Sequence, residues 1–217
     1  MRAFHPGLED LPRELAVFPL PGALLLPEGR LPLNIFEPRY LAMVEDSMAT
    51  GRMFGLIQAE PGAQRKATGP GLYAVGCLGR LSSFSETDDG RYLITLTGVI
   101  RFRIAEELAI GRGYRRVRAD YTPYLRDLVT EKPQVDREAL LGALRPYFKA
   151  QAIEANWSAI EETSDAMLVT TLAMVCPFEV PEKQALLEAP DAVQRAAMLI
   201  ALMEIGAHGD TPDGRPS

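Results

Sequence analysis

The chain has 217 residues, 47% of them hydrophobic and 24% charged, with a formal net charge of −6. That length can bury the core of one large domain or two small ones, and the acidic balance argues against a broad nucleic-acid footprint, which needs a basic face. The two cysteines (Cys77, Cys176) lie far apart and the two histidines (His5, His208) sit near the ends, which argues against a disulfide framework, a zinc site and a His-based catalytic triad.

The opening segment "MRAFHPGLEDLPREL" has no continuous apolar stretch and carries early acids, unlike a signal peptide. The apolar run from Met167 to Cys176 is about half the length a membrane helix needs. A cytoplasmic protein without membrane contact is the expectation.

Short apolar runs bounded by Pro, Gly or charge come first: "LAVFPL" (15–20), "LPLNIF" (31–36) and "FGLIQA" (54–59). Such runs read as buried strands. Between the second and third, "PRYLAMVEDSMATG" (38–51) reads as a helix. Pro38 suits its first position and Gly51 the position past its end, and Leu41, Val44 and Met48 share a face with Tyr40 beside them. "LYAVGCLGRL" (72–81) is the next strand, and Asp89-Gly90 is a hairpin-turn signal. The clearest strand is "RYLITLTGVIRFRI" (91–104), whose apolar face is Tyr92, Ile94, Leu96, Ile100, Phe102 and Ile104. Leu93 and Val99 depart from its alternation, and Gly98 predicts a bulge or sharp bend. "YRRVRADY" (114–121) alternates again. Residues 1–125 are therefore expected to form a mostly antiparallel β domain with one inserted helix.

From Asp136 onward the period is helical, and residues 126–217 are expected to form a small bundle with a frayed, Gly/Pro-rich tail. Asp136, Ser164 and Asp191 suit N-caps, and Gln194 stands three residues after Asp191 as in a capping box. Pro146 is expected to kink or break the first helix and Gly206 to close the last.

Catalytic motifs are missing. No phosphate-loop motif occurs, and "GPGLY" (69–73) leads into a strand rather than a helix. Of the lysines, Lys66 and Lys132 fall in a loop and a linker, while Lys149 and Lys183 fall on helices without a serine within one turn. The adjacent acids Glu106-Glu107, Asp88-Asp89 and Glu161-Glu162 point apart on regular elements. The expectation is a non-enzyme with no catalytic residue, no metal and no cofactor.

The ordered series "VFPLPGALLLPEGRLPLNIFEPRYLAMVEDSM", "FGLIQ", "GLYAVGCLGRL" and "RYLITLTGVIRFRI" resembles the N-terminal, substrate-binding domain of bacterial Lon-type ATP-dependent proteases. "LAMVCPFEVPEKQALLEAPDAVQRAAMLIALMEI" resembles the helical part that follows it, so the similarity runs from about Leu15 to Ile205. The resemblance implies an α+β fold: a PUA-like β pseudo-barrel followed by a helical bundle. It also implies capture of unfolded or tagged polypeptides, with an ATP-dependent protease as a partner in trans. It does not extend to an ATPase or a Ser–Lys peptidase domain, so a stand-alone substrate-binding-domain protein is expected.

The candidate polypeptide-binding residues are Leu33, Ile35, Phe36 and Tyr40 at a strand–helix junction, with Met43 and Met53 as flexible thioethers. The alternative is an RNA-binding module, since PUA-like folds also serve RNA-binding proteins. Its anion patch would be Arg101, Arg103, Arg115, Arg116 and Arg118, and pairing of these with nearby acids would remove it. The Glu37–Pro38–Arg39 cluster is expected to be architecture.

Overall fold

A computed structural model describes residues 6–65, 68–129 and 133–208. The expectations for His5, Lys66, Lys132 and the tail beyond His208 lie outside the described residues.

Six strands form one sheet: β1 (Glu14–Pro19), β2 (Arg30–Ile35), β3 (Met53–Ile57), β4 (Val75–Glu86), β5 (Tyr92–Gly111) and β6 (Tyr114–Asp120). Their order is β2-β5-β4-β3-β1-β6, and β6 also pairs with β5, which closes the sheet into a ring with β2 attached outside it. Among the described residues only β1 and β3 pair in parallel. The helix α1 (Pro38–Ala49) lies between β2 and β3 in the chain. The inside of the ring is filled by alternating apolar residues, among them Leu15, Val17, Leu78, Ile100, Phe102 and Val117.

β5 runs for 20 residues and serves two edges in turn. Its first half pairs with β2 and β4, and its second half with β6. The break in register falls where Leu78 faces Ile100 but Gly79 faces Gly98, so Val99 is the extra residue of a bulge. The bulge receives the loop before β2. Gly98 N–H donates to Gly29 C=O at 2.8 Å, and Glu28 N–H donates to Gly98 C=O at 2.9 Å. A Cβ on residue 98 would stand 2.0 Å from the Leu26 carbonyl oxygen, so only glycine lets the loop bury Leu24, Leu25 and Leu26.

The chain divides into two compact units, Met1–Thr130 with Cys176–Glu188, and Glu131–Val175 with Ala189–Ser217. The sequence suggested one border near residue 125; instead the units interleave, and α5 (Val180–Glu188) belongs with the β-rich unit. Polar groups hold α5 there. Gln184 donates to the Val75 carbonyl at 3.1 Å, and Lys183 to the Gly22 carbonyl at 2.7 Å.

The second unit contains α2 (Arg137–Ala150), α3 (Trp157–Glu162), α4 (Asp165–Val175) and α6 (Ala192–His208). The Asp136 carboxylate accepts from Ala139 N–H at 2.9 Å, and that of Asp191 from Gln194 N–H at 2.8 Å, capping α2 and α6 as expected. Two expectations fail. α2 continues through Pro146 to Ala150, because the carbonyl left without a donor is that of Gly142, an exposed residue whose carbonyl water can serve. Gly206 does not end α6, which continues to His208. It serves a close approach, since a Cβ there would meet the Tyr147 ring at 2.7 Å.

Two glycine substitutions should therefore have opposite signs. Gly98→Ala forces the Leu26 carbonyl off the bulge and should cost at least about 1–3 kcal/mol. Gly142→Ala meets nothing within 4 Å and should stabilise by about 0.8–1 kcal/mol, the helix-propensity difference. Urea denaturation of both variants checks the pair.

Candidate functional site

β2 is an edge strand, and among the described residues only β5 pairs with it. The bond from Gly98 to Gly29 sets the phase of the antiparallel ladder. Bonded rungs then fall at Leu31, Leu33 and Ile35, while Arg30, Pro32 and Asn34 turn their backbone groups to the open edge. Pro32 fits such a place because it has no N–H to lose. The edge runs into α1 at Phe36–Glu37.

The Glu–Pro–Arg cluster is architecture here. Pro38 opens α1 and Glu37 is its N-cap residue. Arg39 donates back to the Glu37 carboxylate at 2.7 Å, and its guanidinium lies 4.5 Å from the centre of the Tyr40 ring. Tyr40 is buried against Phe18, with ring centres 4.3 Å apart, and burial pushes its hydroxyl pKa up.

The six candidate contact residues separate by burial. Ile35, Tyr40 and Met43 are core, and Leu33 and Met53 are half-buried. Phe36 is 61% exposed, with the Arg91 guanidinium 5.9 Å from its ring. Two further exposed apolar residues lie on the adjoining strands, Phe84 and Leu93. The Phe84 ring lies 4.9 Å from that of Tyr92. Leu93 was legible as the residue breaking the alternation of β5. Phe84 sits in the hydroxyl-rich "SSFSE", which carries no apolar period and hid the second half of β4.

The five arginines expected to form an anion patch do not make a free basic face. Arg101 is buried, with a side chain only 4% exposed. Its backbone N–H, Nε and Nη2 all donate to the Asp127 carboxylate at 2.8–3.0 Å, and its Nη1 donates to the Leu187 carbonyl at 3.0 Å. Buried Arg115 donates to Glu107 at 2.7 Å and to the Pro70 carbonyl at 2.6 Å. Arg116 pairs with Glu14 and Arg118 with Glu106. Arg103 faces Asp120 across the ladder, whose pKa is lowered by its bonds to Thr122 and also by that arginine. Four of the five thus pair with an acid of the same unit and Arg103 faces one, which weighs against the RNA alternative.

Nucleophiles and ligands are equally scarce. Both thiols are buried, and burial pushes Cys176 up to about 12. Among the described residues no group of three or more His, Cys, Asp or Glu could hold a metal ion. No helix among them is long and apolar enough to cross a membrane.

A family model for the "ATP-dependent protease La (LON) substrate-binding domain" matches residues 14–204. The chain belongs to the Lon substrate-binding domain family. It is similar to Lon protease 2 of Myxococcus xanthus, 26% identical over 211 residues that cover 91% of this chain and 24% of that protein. Lon protease 2 of Sorangium cellulosum is also 26% identical, with 91% and 25% covered. The chain thus spans about a quarter of the length of these relatives. Among solved structures, a Lon N-terminal domain protein from Xanthomonas campestris superimposes with a TM-score of 0.61 at 24% identity, covering 87% of this chain and 97% of that one. The N-terminal domain of a Mycobacterium avium complex Lon protease gives 0.60 at 17% identity, covering 92% and 100%. Both bear out the α+β fold, a β ring joined to helices.

Two outcomes follow from this Lon-type domain. Asp127→Ala strands the Arg101 guanidinium in the core and should cost about 3–5 kcal/mol, read from the shift in denaturation midpoint. A thiol reagent at neutral pH should label neither cysteine of the native protein and both after unfolding, because both thiols are buried out of its reach. Mass spectrometry before and after denaturant checks it.

Proposed function

We propose that this domain binds unfolded or extended polypeptide without catalysing a reaction on it. The observation that carries the proposal is the open edge of β2 ending at an exposed aromatic, Phe36. An extended chain can add to such an edge through backbone hydrogen bonds, with side chains seated beside it. Phe36 and half-buried Leu33 are the contact residues in this scheme, with Met53 a further candidate. Ile35, Tyr40 and Met43, being buried, support the strand–helix junction from beneath. Membership of the Lon family supports the same role, and by extension an ATP-dependent protease is the downstream partner, including one acting in trans.

Fluorescence anisotropy with a labelled, permanently unfolded protein tests the proposal. Saturable binding is expected, weakened about tenfold or more by Phe36→Asp, which removes an aromatic anchor and adds a charge that resists desolvation. No saturable binding at high micromolar concentration would sink it.

A further inference from the structure

Two hollows lie side by side on one face of the β2–β5–β4 sheet. One is a cleft of about 370 Å³ into which Arg30, Arg52 and Arg80 project, between Leu81, Thr97 and Val99. The other is a shallower trough of about 440 Å³ between Pro32, Asn34, Ser83, Ser85 and Leu93. The ladder makes them continuous. In the first rung Arg30 and Arg80 flank Thr97. In the next, Pro32 and Ser83 flank Thr95, and in the third Asn34 and Ser85 flank Leu93. Alternate residues share a face, so this face is cationic at one end and lined by small hydroxyl and aliphatic groups along the rest.

Pairing separates Arg30 and Arg52 of this cleft from four arginines of β5 and β6. Arg101, Arg115, Arg116 and Arg118 each pair with an acid. Among the described residues neither Arg30 nor Arg52 has an ion-pair partner, and none of the residues lining the cleft carries a carboxylate. Arg52 also occupies a conformation that favours another residue. It follows α1 at φ +63°, where glycine or asparagine would be unstrained, with its N–H donating to the Ser47 carbonyl at 2.7 Å.

We propose that this cleft recognises a carboxylate of the bound polypeptide, an acidic side chain or the chain's C-terminus. The proposal rests on the polypeptide-binding function above and gives it a substrate preference. A chain added to the free edge of β2 passes Arg30 at one end of the strand and Phe36 at the other. Its carboxylate then meets guanidinium groups, which match a carboxylate in charge and in fork geometry. A nucleic-acid phosphate would use the same charges, but no aromatic ring lines either hollow for a base to stack on.

The test uses the full chain and two labelled nonapeptides with the same apolar centre. One ends in Asp-Glu with a free C-terminus, the other in Asn-Gln with an amide. The acidic peptide should bind about tenfold tighter at low salt, an advantage that shrinks as salt rises. The double variant Arg30→Gln/Arg52→Gly should abolish the preference while leaving the neutral peptide's affinity unchanged. Since Arg52→Gly relieves its backbone strain, this variant should fold at least as stably in urea, so lost preference is not lost structure. Phe36→Asp should weaken both peptides. Equal affinities for the two peptides, with the unfolded protein still bound, would overturn the carboxylate assignment alone. Failure of every peptide and of the unfolded protein would overturn both proposals. Displacement of the acidic peptide by lower concentrations of a single-stranded RNA would make the cleft a phosphate site and overturn it as well.

Discussion

The fold depends on one backbone approach, that of the Leu24–Gly29 loop to the β5 bulge. β5 must pair with β2 and β4 over its first half and with β6 over its second. A regular strand of 20 residues would carry its twist past the point where the ring closes. The bulge at Gly98 and Val99 bends it, and Gly98 admits the carbonyl of Leu26 where any side chain would collide. The same contact buries three consecutive leucines beneath the sheet and fixes the phase of β2. Which backbone groups of β2 face solvent, and which of its side chains share a face with Thr97 and Thr95, both follow from that glycine.

Charge is arranged around this frame in two ways. On the ring, arginines of β5 and β6 are matched with Asp127, Glu107, Glu106 and Glu14, so they act as fasteners. The most enclosed of them, Arg101, ties β5 to the 3-10 turn Thr122–Leu128 and to the end of α5. An unmatched guanidinium at that depth would be expensive, so the position demands its acid. Arg30 and Arg52 stand on the opposite sort of ground, at an open cleft where water bears their solvation cost.

Much of this was legible in the sequence. The period-two run of β5, the Asp89-Gly90 turn and the Pro38 start of α1 are local signals, and local chemistry fixed those elements. The N-caps Asp136 and Asp191 were legible for the same reason. Other features depend on partners distant in the chain. The second half of β4 is hydroxyl-rich and becomes a strand only because β5 lies beside it. Gly206 looks like a helix terminator but is an indentation for Tyr147. Membership of α5 in the β-rich unit is carried by Gln184 and Lys183, whose side chains reach backbone carbonyls more than a hundred residues away. In the candidate site, the apolar junction residues were recognisable as a group, but the group was split by burial, which no periodicity in six residues reveals. The pairing of the arginines was hidden for a related reason: sequence shows the charges of β5 and β6, while their register decides which acid each one meets.

An open edge strand invites pairing with another copy of itself, and β2 carries the means to resist that. Pro32 stands among the backbone groups facing outward and withholds a donor near the middle of the edge. Arg30 adds a charge that a second β2 aligned in parallel would meet with its own. A partner that suits the edge therefore differs from β2: it must do without one hydrogen bond and must not bring a cation to the Arg30 end. An extended segment with an apolar centre and an acid at one end satisfies both conditions. The residues that discourage self-association thus also select the polypeptide, which is why edge protection and substrate preference can occupy the same six-residue strand.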